Sequence, residues 1–317
     1  MWFKQAQFFE LTQPIAYDAD KLGEKLASLA FTPCVSSLPS SHGWICPVED
    51  SENGPLVHAA SGYMIICLQY EEKILPASVI RQATVDKIKA LEAAGSRKVG
   101  QKEKASLKEH IMFTLLPRAF TRLTRIYAYI DTKNQRIILN TVNAKRTEQF
   151  IEIFKKCVTD AFNAPQLKKL APIMTNWISE NRDPPKFSAE KTCLLQDPQQ
   201  QTHIIRCQQQ DLSASSIQEF IKEGYEVKKI GLAWQDRMYF VLSENFSLSN
   251  IQFQDEILAQ AKDIQGEDKQ QRFDADFFIM TETFGHLLND LLPLFIEPET
   301  TITAPNSFSL YDSARVN

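Results

Sequence analysis

The segment that most constrains this fold is a helical stretch set between regions of β pattern. From Pro76, apolar residues recur at helical intervals through "ASVIRQATVDKIKALEAAG", and the period resumes in "QKEKASLKEHIMFTLL" until Pro117 stops it. Gly95 and Gly100 bracket "SRKV", which indicates a break between two helices. The flanking regions carry β-favouring runs such as residues 63–67. The chain is therefore predicted to be α+β, with a bent helical arm between β segments.

Charge is distributed unevenly along the chain. The net charge is -4, yet residues 71–146 carry 16 Lys and Arg against 7 Asp and Glu, a net of +9. Residues 244–317 carry 4 against 13, a net of -9. A concentrated basic segment is what binding to a polyanion requires. A solvated helix whose charges only promote solubility would have the same composition, so both interpretations stay open at this point.

The composition is that of a globular protein, with 44% hydrophobic and 23% charged residues. No apolar run reaches the ~18 to 20 residues that a membrane-spanning helix needs. The start, "MWFKQAQFFELTQP", lacks the pattern of a secretory signal. Six cysteines are scattered without a CxxC pair, which is typical of free thiols in a reducing compartment. We therefore expect a cytoplasmic protein.

Changes of pattern predict the organisation of the chain. In the first part, "DADKLGEKLASLAF" is predicted as a helix with Asp18 or Asp20 as its N-cap, and "LVHAASGYMIICLQY" as a strand. "RIYAYID" and "QRIILNTV" are predicted to form a hairpin around residues 132–134. The predicted units are the N-terminal part of an α+β body (1–75), the basic helical arm (76–125), a hairpin and helix that complete the first α+β unit (126–183), a second α+β unit (184–300) and a polar tail (301–317).

Catalytic signatures are missing from the sequence. With ten glycines, the chain has no GxxxxGK[ST] or GxGxxG loop for phosphates and no GxSxG nucleophile motif. His42, Cys46 and His58 are close in sequence but lack the paired spacing of a zinc site. We therefore expect a protein that is not an enzyme and needs no metal or cofactor.

One acidic region offers an enzymatic alternative. Asp255-Glu256, Glu267-Asp268, Asp274 and Asp276 could form a two-metal nuclease site. In "FDADFF", however, Asp274 and Asp276 are predicted to share one face of an extended segment, or to lie beside a helix start, where carboxylates favour the helix dipole. The structural interpretation is favoured, and a metal-dependent nuclease is kept as the alternative.

The basic arm supports a sharper hypothesis. Lysines on a regular helix contact phosphates without reading sequence, and no helix-turn-helix or zinc-finger pattern is present. We therefore expect salt-sensitive, sequence-independent binding to duplex or single-stranded nucleic acid. The candidate cations are Arg81, Lys87, Lys89, Arg97, Lys98, Lys102, Lys104, Lys108, Arg118, Arg122 and Arg125.

A single ring stands among these cations. Phe120 lies in "LLPRAFTR", between Arg118 and Arg122. It could be a core residue beneath the helix end, a platform on which bases stack, or an apolar knob that fills a pocket on a second subunit. Taken by itself, the sequence leaves all three interpretations open.

Several strings resemble the bacterial recombination-associated RdgC family in order and spacing, from Met1 to about residue 290. They are "LASLAFTPC" (26–34), "GW" (43–44), "EEKILP" (71–76), "LLPRAF" (115–120), "QDL" (210–212), "AWQ" (233–235) and "QRFDADF" (271–277). The resemblance implies a non-catalytic protein that binds double-stranded DNA without sequence preference. It also implies a crescent-shaped subunit with helical fingers, closing into a ring-shaped homodimer that encircles DNA, associates with the nucleoid and restrains RecA-mediated strand exchange.

The resemblance also assigns individual residues. Phe120 matches the finger aromatic that packs into the partner subunit at a gate, and Arg97 lies in the matching finger segment. Gln210, with Gln209 beside it, matches a position near the DNA-facing surface. The chain departs from the pattern at Gln208 and Gln209, where relatives tend to carry lysines. Glutamines can hydrogen-bond to phosphate but release no counterions, so the arm lysines are expected to carry more of the binding.

Overall fold

Segments rich in β-branched and aromatic residues assemble into one twelve-stranded sheet. A computed structural model describes residues 1–48, 54–95, 98–158, 162–264 and 268–296. The strands follow the order β2-β4-β5-β6-β1-β12-β11-β10-β8-β9, with β3 beside β4 and β7 beside β1, and all of these pairs are antiparallel. The strands are β1 (Ala6–Leu11), β2 (Ser40–Ile45), β3 (Val57–Ala60), β4 (Tyr63–Lys73), β5 (Thr121–Asp131), β6 (Arg136–Leu139), β7 (Phe162–Asn163), β8 (Phe187–Gln196), β9 (Ile204–Gln208), β10 (Glu226–Trp234), β11 (Met238–Ser243) and β12 (Ser247–Phe253).

Eight α-helices lie within the described ranges, so the α+β class is confirmed. Two of them, α2 and α3, interrupt the path from β4 to β5, where the period of the sequence predicts helices, and α3 ends before Pro117. The helices are α1 (Ala19–Ala27), α2 (Ala77–Gly95), α3 (Gln101–Leu115), α4 (Ala144–Cys157), α5 (Leu170–Ser179), α6 (Ser215–Lys222), α7 (Asp255–Ile264) and α8 (Lys269–Leu291).

Both faces of the sheet are covered around β4, which explains why that strand is almost continuously apolar. Successive side chains of a strand point to opposite faces. Ile65 and Cys67 face one core, which includes Phe277 and Phe284 of α8. Their neighbours along β4 face a second core, which includes Leu22 of α1 and two phenylalanines of α4.

Two local predictions, a helix N-cap and a hairpin, are confirmed, and one predicted strand is wrong. The Asp18 carboxylate accepts a hydrogen bond from the Lys21 N–H at 2.9 Å, as the predicted N-cap of α1. The hairpin around residues 132–134 joins β5 to β6 as predicted. "LVHAASGYMIICLQY", however, is two strands and not one, because Ser61 and Gly62 take positive φ values of 52° and 87° and turn the chain back. Because β-favouring residues continue on both sides of this turn, the sequence pattern does not reveal the break between the two strands.

The two predicted α+β units share the sheet. β1 pairs with β12 across the sequence, so the strands before and after residue 184 are hydrogen-bonded to each other. The division at 184 stays a prediction, and the predicted tail at 301–317 lies outside the described residues. Among the described helices, none is long and apolar enough to cross a membrane.

Candidate nucleic-acid interface

The α2 and α3 helices present their predicted DNA-contacting cations to solvent. Eight of these side chains on and around the two helices are exposed, and within the described ranges none of the eight forms an ion pair. They are Arg81, Lys87, Lys89, Lys98, Lys102, Lys104, Lys108 and Arg118. Arg97 lies outside the described residues. Cations without carboxylate partners keep their full charge for phosphates, which is the condition for counterion release.

The two helices pack on each other through a thin core. Among the described residues of α2, α3 and the segments joining them to each other and to β5, only Ile80, Thr84, Val99, Ile111 and Leu116 are buried. The Glu92 carboxylate ties the start of the α3 segment to α2 by accepting a hydrogen bond from the Val99 N–H at 3.0 Å. Apolar side chains of both helices remain exposed to solvent: Val79 of α2 is 46% exposed and Phe113 of α3 is 60% exposed.

The Phe120 side chain is 84% exposed, so its interpretation as a core residue is wrong for the isolated subunit. The ring lies after the 3-10 turn Leu116–Arg118, directly before β5. Exposed apolar side chains lie on the segments around it: Ile74 at 48%, Leu123 at 55% and Leu38 at 50%. The main-chain N–H groups of Lys73 and Ile74 bond to the carbonyls of Pro39 and Phe120, which brings these segments together. The base-stacking and subunit-interface interpretations of Phe120 both remain, and the exposed apolar residues on the neighbouring segments favour the interface.

An open apolar groove of about 450 Å³ runs along the α2–α3 pair. Its wall is built mainly by α2, and two cations, Arg81 and Lys108, complete the lining. The other lining residues are Ala77, Ser78, Ile80, Thr84 and Val85. The groove and the exposed ring therefore lie on the same basic segment.

Arg122, unlike the exposed cations of α2 and α3, forms an ion pair with a carboxylate. Its Nη2 atom lies 3.2 Å from the Glu72 carboxylate, which is also bound by Arg146 Nη2 at 2.6 Å. Burial favours the neutral acid, but hydrogen bonds from Arg146 and Arg122 outweigh it and lower the pKa of Glu72 below its ordinary value. Arg122 is thus partly neutralised, and the cation–carboxylate cluster links β4, β5 and α4. No local sequence pattern predicts this cluster, because the partners of Glu72 are 50 and 74 residues away along the chain.

Gln209 and Gln210 lie far from the arm. They follow β9, the last strand in the sheet order, and both are exposed. Gln209 takes a positive φ of 54°, and the Gln210 N–H bonds to the Lys191 carbonyl at 3.2 Å. Eight strand spacings separate β9 from β4, or roughly 40 Å along the sheet at ~4.8 Å each. These glutamines and the arm cations therefore belong to different parts of the strand order.

Three of the predicted acidic residues near the C-terminus, Asp268, Asp274 and Asp276, have protein partners. His58 Nε2 lies 2.6 Å from the Asp274 carboxylate, and the Asp276 carboxylate lies 2.7 Å from the Met1 ammonium. Asp268 is the N-cap of α8, accepting from the Gln270 N–H. Of the two predicted placements of "FDADFF", the extended one is wrong and the one near a helix start is closer, because Asp274 and Asp276 lie inside α8, which begins at Lys269. Glu267 lies outside the described residues.

The described ranges contain no group of three or more His, Cys, Asp and Glu side chains arranged to hold a metal ion. His42, one of the weighed ligands, instead packs its ring against Tyr70 at 5.7 Å between centroids. His58, another, is the partner of Asp274.

Comparisons with known proteins agree with one another. The family model described as "Putative exonuclease, RdgC" matches residues 1–297. A protein named "Recombination-associated protein RdgC" from Yersinia pestis (strain Pestoides F) is 36% identical over 299 residues, covering 92% of this chain and 97% of that protein. One with the same name from Pseudomonas fluorescens (strain Pf0-1) is 34% identical over 299 residues, covering 94% and 96%.

Proposed function

The chain belongs to the RdgC family, and we propose that it binds double-stranded DNA without sequence preference and without catalysis. The observation that carries the proposal is the set of eight exposed cations without ion pairs on and around α2 and α3. Side chains of this kind contact phosphates by charge, which positions a protein on DNA but does not read bases. Single-stranded DNA, which has the same backbone charge, is a second ligand of this surface.

The proposed active form is a homodimer. Phe120 is an exposed apolar knob, and the α2–α3 groove is an apolar recess on the same segment. A two-fold interface requires a surface that is complementary to itself, so the ring of one subunit can enter the groove of the other and the reverse. Burial of Phe120 with Leu38, Ile74 and Leu123 around it would remove from water side chains that the single subunit leaves exposed.

In this proposal the subunit is a crescent, α2 and α3 are its fingers, and two copies close a ring around duplex DNA. The contact at Phe120 serves as the gate. The basic arm faces the DNA, and Gln209 and Gln210 belong to a more distant part of the same inner surface. A protein that occupies the duplex withholds it from RecA, which would restrain strand exchange without direct contact with RecA. Association with the nucleoid follows from the same binding.

Fluorescence anisotropy with unrelated duplexes of equal length tests the binding proposal. We expect equal affinities across sequences and a steep fall with salt, since several phosphate contacts cost ~10³-fold or more in affinity between about 50 and 200 mM salt. A strong preference for one sequence, or affinity that does not change with salt, would contradict the proposal.

A nuclease remains the second candidate, because the matched family model carries the description "Putative exonuclease, RdgC" and acidic residues are concentrated near the C-terminus. Incubation of labelled linear DNA with the protein and Mg²⁺ or Mn²⁺ separates the two candidates. Shortened products that require Asp274 or Asp276 would support the nuclease. Recovery of intact DNA under conditions where the protein is bound supports the non-catalytic function.

A further inference from the structure

Two cysteines face each other across the outer edge of the sheet. Cys193 of β8 and Cys207 of β9 are direct partners in the antiparallel register, and both side chains are buried. Residues in such register lie about 4.5 to 5.5 Å apart between Cα atoms, which falls inside the range that disulfides span, ~4.4 to 6.8 Å. Because both side chains point into the same core, their Cβ vectors converge on one side of the sheet.

The side chains are adjacent as well as the backbones. Burial raises the pKa of the Cys193 thiol, and the neighbouring Cys207 thiol raises it further by charge repulsion and by a hydrogen bond. The Cys193 thiol is thus protonated at rest, and both sulfurs are shielded by burial. A thiol of this kind reacts slowly, because the thiolate is the nucleophile.

The position of β9 at the edge of the sheet gives an oxidant a route to the two cysteines. β9 is the last strand in the order and pairs only with β8 among the described strands. An edge strand held by one neighbour opens locally at lower free energy than a central strand. Transient separation of β9 exposes Cys207 and, beneath it, Cys193. The other four cysteines are not register partners of one another in the described pairs.

We propose that Cys193 and Cys207 are a peroxide-oxidisable pair that forms a reversible disulfide within the subunit. One thiolate attacks an oxygen of hydrogen peroxide, giving a sulfenic acid and hydroxide, which takes up the thiol proton to become water. The second thiol then attacks the sulfenic sulfur, forming the S–S bond and releasing a second water. Two thiols lose two electrons in total, and peroxide gains them. A dithiol reductant reverses the step by thiol–disulfide exchange.

The bond would staple β9 to β8 immediately before Gln208, where the chain leaves the sheet. It closes a loop between residues 193 and 207, which removes freedom from the unfolded chain. We expect oxidation to raise the midpoint of thermal unfolding by about 3 to 6 °C. This inference does not depend on DNA binding.

Tryptic mapping of the folded full chain after hydrogen peroxide treatment tests it. Cleavage after Arg206 separates the two cysteines into peptides 192–206 and 207–222, so a disulfide joins two otherwise separate fragments. We expect this linked pair, lighter by two hydrogen atoms than its reduced parts, and its disappearance on treatment with dithiothreitol.

Two variants serve as controls. Cys207→Ser should abolish both the linked pair and the rise in melting temperature, whereas Cys157→Ser, which removes a half-buried thiol elsewhere, should keep both. Recovery of the two cysteines only as thiols or as separate sulfinic and sulfonic acids would overturn the proposal. So would a linked pair that forms only when the protein is unfolded in urea before oxidation.

Discussion

The main-chain carbonyl of Phe120 accepts a hydrogen bond from the Ile74 N–H at 2.7 Å, while the Phe120 ring is 84% exposed. The backbone at this point is therefore fixed by the ends of β4 and β5, and the side chain projects from a fixed base. Because the backbone is already fixed, only the two side-chain torsions lose freedom when the ring enters a pocket, which suits an anchor residue at an interface.

Phe120→Ser should weaken dimer closure and leave the subunit fold nearly intact. Sedimentation velocity should show a shift towards monomer, while the stability of the monomer changes by no more than about 0.5 kcal/mol, as is usual for exposed positions. Phe154→Ser, which removes a fully buried ring, is the contrasting control and should cost about 3 to 5 kcal/mol. A large loss of monomer stability in Phe120→Ser would restore the core interpretation.

The groove should show the same phenotype as the ring. Val85, 38% exposed, lies in its wall, so Val85→Asp places a carboxylate where the partner's ring would be buried. We expect dimer dissociation similar to that of Phe120→Ser, and a double variant no worse than either single one, because contacting residues are not additive. Additive losses in a sedimentation series would mean that the ring and the groove do not meet.

Charge reversal separates DNA binding from a purely protein-binding role in which the arm only aids solubility and the protein contacts RecA directly. Lys98→Glu, Lys102→Glu and Lys104→Glu together should lower duplex affinity at least about 100-fold at low salt and flatten the salt dependence. The matched control reverses three exposed lysines outside the arm, Lys145, Lys155 and Lys169. Anisotropy titrations that give both triple variants the same affinity as the unaltered protein would favour the protein-binding role.

Glu72 should make the fold sensitive to acid. Its folded-state pKa is lowered by Arg146 and Arg122, so its stabilisation is present above its ordinary pKa and is lost as pH falls through the folded value. Glu72→Gln should cost about 0.5 to 1 kcal/mol at pH 7, since the side chain is partly exposed, and less near pH 3, where part of the charge contribution has been lost. Urea unfolding at the two pH values measures the difference. An equal cost at both would show that the carboxylate charge is not what stabilises the cluster.

Gly43 should not tolerate a side chain. A Cβ atom built there would overlap the Phe31 Cα and lie 2.5 Å from the Phe31 nitrogen, because the chain passes close to β2 where the Phe31 N–H donates to the Trp44 carbonyl. Backbone atoms cannot move aside as easily as the end of a flexible side chain. Gly43→Ala should therefore lower the free energy of unfolding by about 2 kcal/mol or more. Gly23→Ala, in α1 with nothing near the added methyl group, is the control and should be neutral or stabilising. Thermal melts of the two variants provide the comparison.

Periodicity was sufficient where one element carries its own pattern, as in α2 and α3, whose break and whose end before Pro117 follow from local residues. It failed at residues 61–62, because an apolar run continues through a turn that only backbone angles reveal. Long-range pairs such as Glu72 with Arg146 could not be predicted, because no local pattern in the sequence indicates which elements become neighbours in the fold. The exposure of Phe120 was equally undecidable, because a ring after a helix end has the same local sequence whether it turns inward or outward.

If the subunits form the proposed ring, the thin core between α2 and α3 bears on how DNA without a free end would enter it. With so few side chains buried between them, these helices should exchange their amide hydrogens well before the central strands do. Separating two subunits at such a place requires little loss of packing within either one. Loading onto circular DNA could then proceed by brief loosening of the fingers, without a hinge elsewhere in the molecule.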